Sequence, residues 1–455
     1  MFIKPEIIES LLNQKAPLRQ EIEEIINKSL NLERLSTKDV ATLLRVTRAS
    51  DIARIWEAAG QVKELIYGKR VVIFAPLYIS NLCKNNCAYC AFRTDNRGVT
   101  RKALTQDEIA AETLALLKTG QKRILLVSGE AYPQDGLDYV LDAIKTIYSM
   151  SDRNNHIRRI NVNIAPLEQK DFKRLLGADI GTYQLFQETY HPETYTKLHT
   201  KGPKSDYLYR LTCMDRAFRA GFQDIGIGVL FGLYDYRFEV LALMQHIEHL
   251  EATYGLGPHT LSVPRLEPAD GSSIAEKPPF PIDDTMFKTI IAILRLAVPY
   301  TGIILSTRET AAMRQDALNL GVSQISAGSK TSPGGYSDPS ATEQFSLGDT
   351  RTLDDVIADI GEKGHIPSFC TGCYRLGRTG IDFMDQAKPG DIKAKCLPNA
   401  LFTFEEYLQD YASPATKAMG RVLIDRSMSD IPSANKDKTQ KALSKIRDGK
   451  RDIYV

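Results

Sequence analysis

Six of the seven cysteines fall into two triplets: Cys83, Cys87 and Cys90 as C-x3-C-x2-C, and Cys370, Cys373 and Cys396 as C-x2-C-x22-C. Three thiolates close in sequence can wrap three irons of a 4Fe-4S cluster and leave the fourth iron open to an external ligand. An open iron is a reactive iron. Structural zinc needs four ligands, and no fourth Cys or His lies close to the first triplet. The second triplet also lacks a nearby fourth cysteine, although its C-x2-C half is shared with zinc knuckles, so zinc stays open as an alternative there. Seven cysteines in 455 residues are too few for a disulfide scaffold, and Cys213, in an apolar helical stretch, reads as a buried structural thiol.

The elements that must position these thiols are strand-helix repeats. β-branched runs over 71–78, 123–128, 160–164, 182–186, 224–230, 260–264, 302–306 and 323–326 alternate with helical stretches such as 106–118, 206–220, 236–254 and 283–296. Eight such units over roughly 260 residues match an α/β (β/α)8 barrel in count and length, with a doubly wound sheet as the alternative. The first triplet directly follows the first strand, at the mouth where barrel active sites form. Residues 1–70 read as an N-terminal helical layer (6–12, 19–29 and 37–45), 71–344 as the barrel, and 345–455 as a small, mainly helical C-terminal domain carrying the second triplet. The Gly/Ser/Pro-rich stretch 331–349 ends the barrel pattern, and the highly charged 436–451 segment reads as a solvated helix.

Lys plus Arg (58) nearly balances Asp plus Glu (56), which argues against nucleic acid or an anionic membrane as a bulk electrostatic partner. No apolar run approaches the roughly 18 residues of a membrane span, and the N-terminus lacks the basic-then-apolar order of a secretory signal. A cytoplasmic location is expected.

The first triplet, with aromatic Tyr89 before Cys90, resembles the radical S-adenosylmethionine (SAM) superfamily. That resemblance implies an open iron that chelates SAM and a one-electron cleavage to a deoxyadenosyl radical. Ser128-Gly129-Glu130 stands where the superfamily has a Gly-Gly-Glu element accepting hydrogen bonds from the SAM ammonium, with Ser replacing the first Gly. Gly226 and Gly228, on the fifth strand, resemble the element that lets adenine approach bare backbone.

Both triplets together, with INVNIAP (160–166), GTYQLFQETYH (181–191), GPHTLSVPRL (257–266), LSTRE (305–309), SQISAGS (323–329) and PNAL (398–401), resemble the HydG family of FeFe-hydrogenase maturases. The resemblance covers nearly the whole chain. It implies cleavage of the Cα–Cβ bond of L-tyrosine to p-cresol and dehydroglycine, then conversion of dehydroglycine to carbon monoxide and cyanide at a second 4Fe-4S cluster. It further implies that His259 ligates a fifth, labile iron joined to that cluster through a bound cysteine. Arg308, with Arg265 as competitor, is the expected clamp for the tyrosine carboxylate, and Glu188 is an expected contact for SAM or substrate. Arg375 and Arg378 flank the second triplet, where their charge suits anionic fragments. A ferredoxin- or flavodoxin-type reductant and the other maturation proteins are the implied partners. The alternatives are a tyrosine lyase of thiamine biosynthesis, which lacks the C-terminal triplet, and a non-catalytic iron-sulfur carrier, which would release no deoxyadenosine.

Overall fold

The computed structural model describes residues 1–133, 135–338 and 342–455. At its centre eight parallel strands close on themselves: β1 (Arg70–Ser80), β2 (Arg123–Ser128), β3 (Arg159–Asn163), β4 (Tyr183–Glu188), β5 (Ile225–Val229), β6 (Thr260–Ser262), β7 (Gly302–Leu305) and β8 (Gln324–Ser326). Each pairs with the next, and β8 returns to β1 with Val72 opposite Gln324. The expected barrel is therefore present, with every strand within two residues of its predicted bounds. Branched apolar residues in β1 and β2 are almost wholly buried, as strands covered on both faces require.

The barrel interior departs from the usual branched apolar filling. Asn163, Gln184, Ser262 and Ser326 line a cavity within it. Gly226 lies between Gln184 and Thr260, whose side chains would collide with any Cβ at that position. Glycine here makes room for polar neighbours.

Four N-terminal helices cover one side. The first three match expectation; the fourth, Ala49–Tyr67, buries Ile55, Ala58, Ala59, Val62 and Ile66 at helical spacing. Leu35 N donates to Ala297 O (3.0 Å) and Ser29 Oγ to Leu296 O (2.8 Å), tying this layer to the barrel. The single helix expected over 206–220 is instead two, Tyr207–Leu211 and Cys213–Ala220, meeting at Thr212.

The C-terminal region is mainly helical, as expected, and contributes one short strand: β9 (Ile366–Ser368) runs parallel to β1 with Arg70 opposite Ile366, adding a strand at the N-terminal end of the barrel. Three residues centred on Pro367 carry no period that a sequence can display. One expectation is corrected: the terminal segment is not a solvated helix. Helix Ser433–Arg447 buries Leu443 and Ile446 and packs on helix Lys393–Asp410, to which Arg447 is joined through Glu405 at 3.2 Å. Two apolar residues one turn apart suffice to dock it, although lysines dominate its composition. Among the described residues no helix is long and apolar enough to cross a membrane.

Candidate active site and metal centres

The loop after β1 brings Cys83, Cys87 and Cys90 to one cavity of about 210 Å³ at the C-terminal ends of the strands. Gly129, at the end of β2, is needed for this placement. A Cβ there would strike the carbonyl oxygen of Leu82, so only glycine lets the strand end pass beneath the cysteine loop. Gly129 N donates to Ser80 O (2.8 Å) and Ala131 N to Leu82 O (3.1 Å), fixing loop against strand. Burial raises the Cys87 and Cys90 thiols above their ordinary range. Asn85 N already donates to Cys83 Sγ at 3.4 Å. Thiols of this kind, turned toward one cavity, fit a cationic iron cluster that holds them as thiolates.

Beside the thiols stands a buried quartet of charges. Arg210 donates to Glu130 Oε1 (2.8 Å), Lys204 Nζ to Glu188 Oε1 (2.7 Å), and Asn85 Nδ2 to Glu130 Oε2 (2.8 Å). Burial raises the Glu130 carboxyl, but Arg210 and Lys204 outweigh it and hold the group below the usual carboxylate range. Glu188 takes a left-handed backbone conformation (φ 71°) where β4 bulges against β5, which turns its side chain into the cavity wall. Tyr89 lines the same cavity, and its hydroxyl shares a 2.8 Å hydrogen bond with His199 Nε2.

Arg308 faces the cavity from the end of β7. Its guanidinium lies 3.3 Å from the centroid of the Phe345 ring and makes no ion pair among the described residues. Arg265 does not line the cavity. It is held by Glu309 and by Asp284 (2.8 Å), which leaves no free fork for a ligand. Gly226 and Gly228 are also absent from the cavity wall, since flanking side chains of β4 and β6 cover both. Ser128, Gly129 and Glu130 do line it.

The second triplet lies at the opposite end of the barrel. Cys370 follows β9 directly, and its carbonyl accepts from Arg123 at the start of β2. Gly372 N donates to Cys370 Sγ at 3.3 Å. Burial pushes the Cys396 thiol up to about 12 and the Cys373 thiol upward as well, with Arg70 and Arg378 opposing. His259, just before β6, reaches this end: its ring is 4.5 Å from that of Phe383 and 6.3 Å from that of Tyr374. Its Nδ1 is buried without a hydrogen-bond partner among the described residues, 3.7 Å from Asp224 Oδ1, and burial lowers its pKa. The Nε atoms of Arg70 and Arg378 are likewise buried and without a partner among the described residues. Arg378 donates instead to Val455 O (2.7 Å), while Arg375 pairs with Asp452. Unpartnered donors, a free imidazole nitrogen and three thiols fit an anion-bearing cluster site. No three His, Cys, Asp or Glu side chains among the described residues are gathered tightly enough for one ion.

Sequence reasoning missed Lys204, Arg210, Arg70 and Arg123. Only folding carries the two cations after β4 onto Glu130 and Glu188, and no spacing signals it. The 331–349 stretch was expected to be a boundary, yet Thr331, Gln344 and Phe345 form part of the cavity wall.

Against known families, residues 77–246 match the Radical SAM superfamily and residues 262–366 the Biotin and Thiamin Synthesis associated domain. The chain is 33% identical over 355 residues to the 2-iminoacetate synthase of Salmonella typhimurium, covering 78% of this chain and 92% of that one. A crystal structure of HydG, a maturase of the [FeFe]-hydrogenase, superposes with a TM-score of 0.97 at 46% identity over 100% of both chains. The FeFe-hydrogenase maturase HydG from Carboxydothermus hydrogenoformans gives 0.85 at 42% identity over 97% of each.

Proposed function

The chain belongs to the HydG family of radical SAM enzymes, and on that premise we propose that it cleaves L-tyrosine to p-cresol and dehydroglycine and converts the latter to carbon monoxide and cyanide, retained on iron for hydrogenase assembly. The observation that carries this reading is the pair of three-thiol sites at opposite ends of one barrel. Cys83, Cys87 and Cys90 would hold the first cluster, which together with SAM would supply radical chemistry directed at the substrate amine.

The chain's own groups prepare that event. Glu130, kept charged by Arg210, accepts hydrogen bonds from the SAM ammonium, and the backbone of Ser128 and Gly129 supports it. Glu188 holds Lys204, and both it and Arg210 are thereby fixed at the cavity wall. Arg308, without an ion pair among the described residues and backed by Phe345, binds the tyrosine carboxylate. At the far end Cys370, Cys373 and Cys396 hold the second cluster, His259 offers its imidazole to a fifth iron, and Arg70 and Arg378 balance anionic charge. A tyrosine lyase without the second site would stop at dehydroglycine.

The test is carbon monoxide release, trapped by a reduced haem protein, from anaerobically reconstituted enzyme given tyrosine, SAM and a strong reductant. Release that requires both tyrosine and SAM is expected. If enzyme loaded with both clusters makes p-cresol but no carbon monoxide, the maturase reading fails.

A further inference from the structure

The loop after β8 places Gln344 where its amide bridges two groups of the first site. Tyr78 Oη donates to Gln344 Oε1 at 2.8 Å, and Gln344 Nε2 lies 3.8 Å from Cys90 Sγ, within hydrogen-bond reach of sulfur. The sulfur contact decides the orientation of the amide. A thiolate sulfur bound to iron can only accept, so the NH2 of Gln344 faces Cys90, and its oxygen accepts from the buried Tyr78 hydroxyl. The backbone is held too: Gln344 N donates to Thr331 O (3.0 Å), and Ser346 N to Pro268 O (2.9 Å).

We infer that Gln344 is a positioning residue for the first iron-sulfur cluster, acting through Cys90: its N–H···S bond raises the reduction potential of that cluster. The inference rests on the family reading that this triplet holds a 4Fe-4S cluster. Hydrogen bonds to ligating sulfurs withdraw charge from the cluster and favour the reduced state, which carries one more negative charge. The same loop places Phe345 on Arg308, so a single segment sets both the cluster's electronics and the substrate-side cation.

The experiment is a potentiometric titration followed by electron paramagnetic resonance, on full-length reconstituted protein without SAM or tyrosine. Iron content and the reduced-cluster signal establish that the first site is loaded, which separates failure of the family reading from failure of this inference. Gln344→Leu is expected to shift the first cluster to lower potential and to lose one exchangeable deuteron coupling after transfer to heavy water. Tyr78→Phe, which frees the amide to flip, is expected to shift it in the same direction by less. The second cluster in the same sample is the internal control and stays unmoved. An unchanged potential in Gln344→Leu, or an equal shift of both clusters, would overturn the inference.

Discussion

The two ends of the barrel present the same number of thiols in opposite electrostatic settings. At the C-terminal end, Glu130 and Glu188 are matched by Lys204 and Arg210 in one buried network. At the N-terminal end, Arg70, Arg123 and Arg378 gather near the thiols, and Asp224 is the acid that faces His259. Buried charges persist only when compensated. A balanced quartet suits a zwitterion such as SAM, whose ammonium and carboxylate each find an opposite partner. A cationic surplus with unpartnered nitrogens suits anions, as a thiolate-bound cluster with cyanide would be. The fold thus separates a charge-balanced end from a cation-rich end.

The largest test breaks one end at a time. Cys83→Ala is expected to abolish both p-cresol and carbon monoxide, whereas Cys370→Ala keeps p-cresol and loses carbon monoxide, each with about half the iron of the intact protein. Loss of p-cresol in both, with the first cluster still loaded, would mean the ends do not work independently. A narrower cut at the N-terminal end is His259→Ala. It is expected to lose the fifth iron's signal while retaining both cubes and p-cresol formation; a five-iron signal that survives would remove His259 from the ligand set.

At the C-terminal end the sharper probe is Arg308→Lys. Exchanging a planar fork for a point charge forfeits one charged hydrogen bond, so the tyrosine KM should rise about 10–100-fold while the SAM KM stays put. An unchanged tyrosine KM would hand the carboxylate to another cation of the cavity wall, Lys204 or Arg210.

How much of this was legible in the sequence follows from range. Strands such as β2 announce themselves through local β-branched content, and cysteine spacing is local by nature. The charge balance is not local: Arg210 meets Glu130 across 80 residues, and Arg123 meets Cys370 across 247. Arg265 shows the converse error. Its place at a strand end suggested a ligand clamp, but Glu309 and Asp284 had already engaged it. Gln344, in a stretch whose composition reads as a linker, becomes part of the site only because the loop folds back over the barrel mouth.

The smallest expected effect tests whether the cationic surplus at the N-terminal end costs stability. Lys63, fully buried on helix Ala49–Tyr67, makes no ion pair among the described residues. Burial, together with Arg295 and despite Glu64, lowers its pKa to about 7, against roughly 10.4 in an unfolded chain. Between those two values the unfolded chain binds a proton that the native protein does not, so this residue makes stability rise with pH, by at most about 1.4 kcal/mol per unit. Below the native pKa both states hold the proton and the contribution is flat. Lys63→Met removes a buried amine while keeping the length of the side chain, so it should stabilise the protein at pH 7 by about 1 kcal/mol and flatten the rise toward pH 9. Urea unfolding at both pH values measures this. A variant less stable at pH 7, with the pH slope intact, would show that Lys63 is compensated in the native state and that the surplus is confined to the arginines around the second triplet.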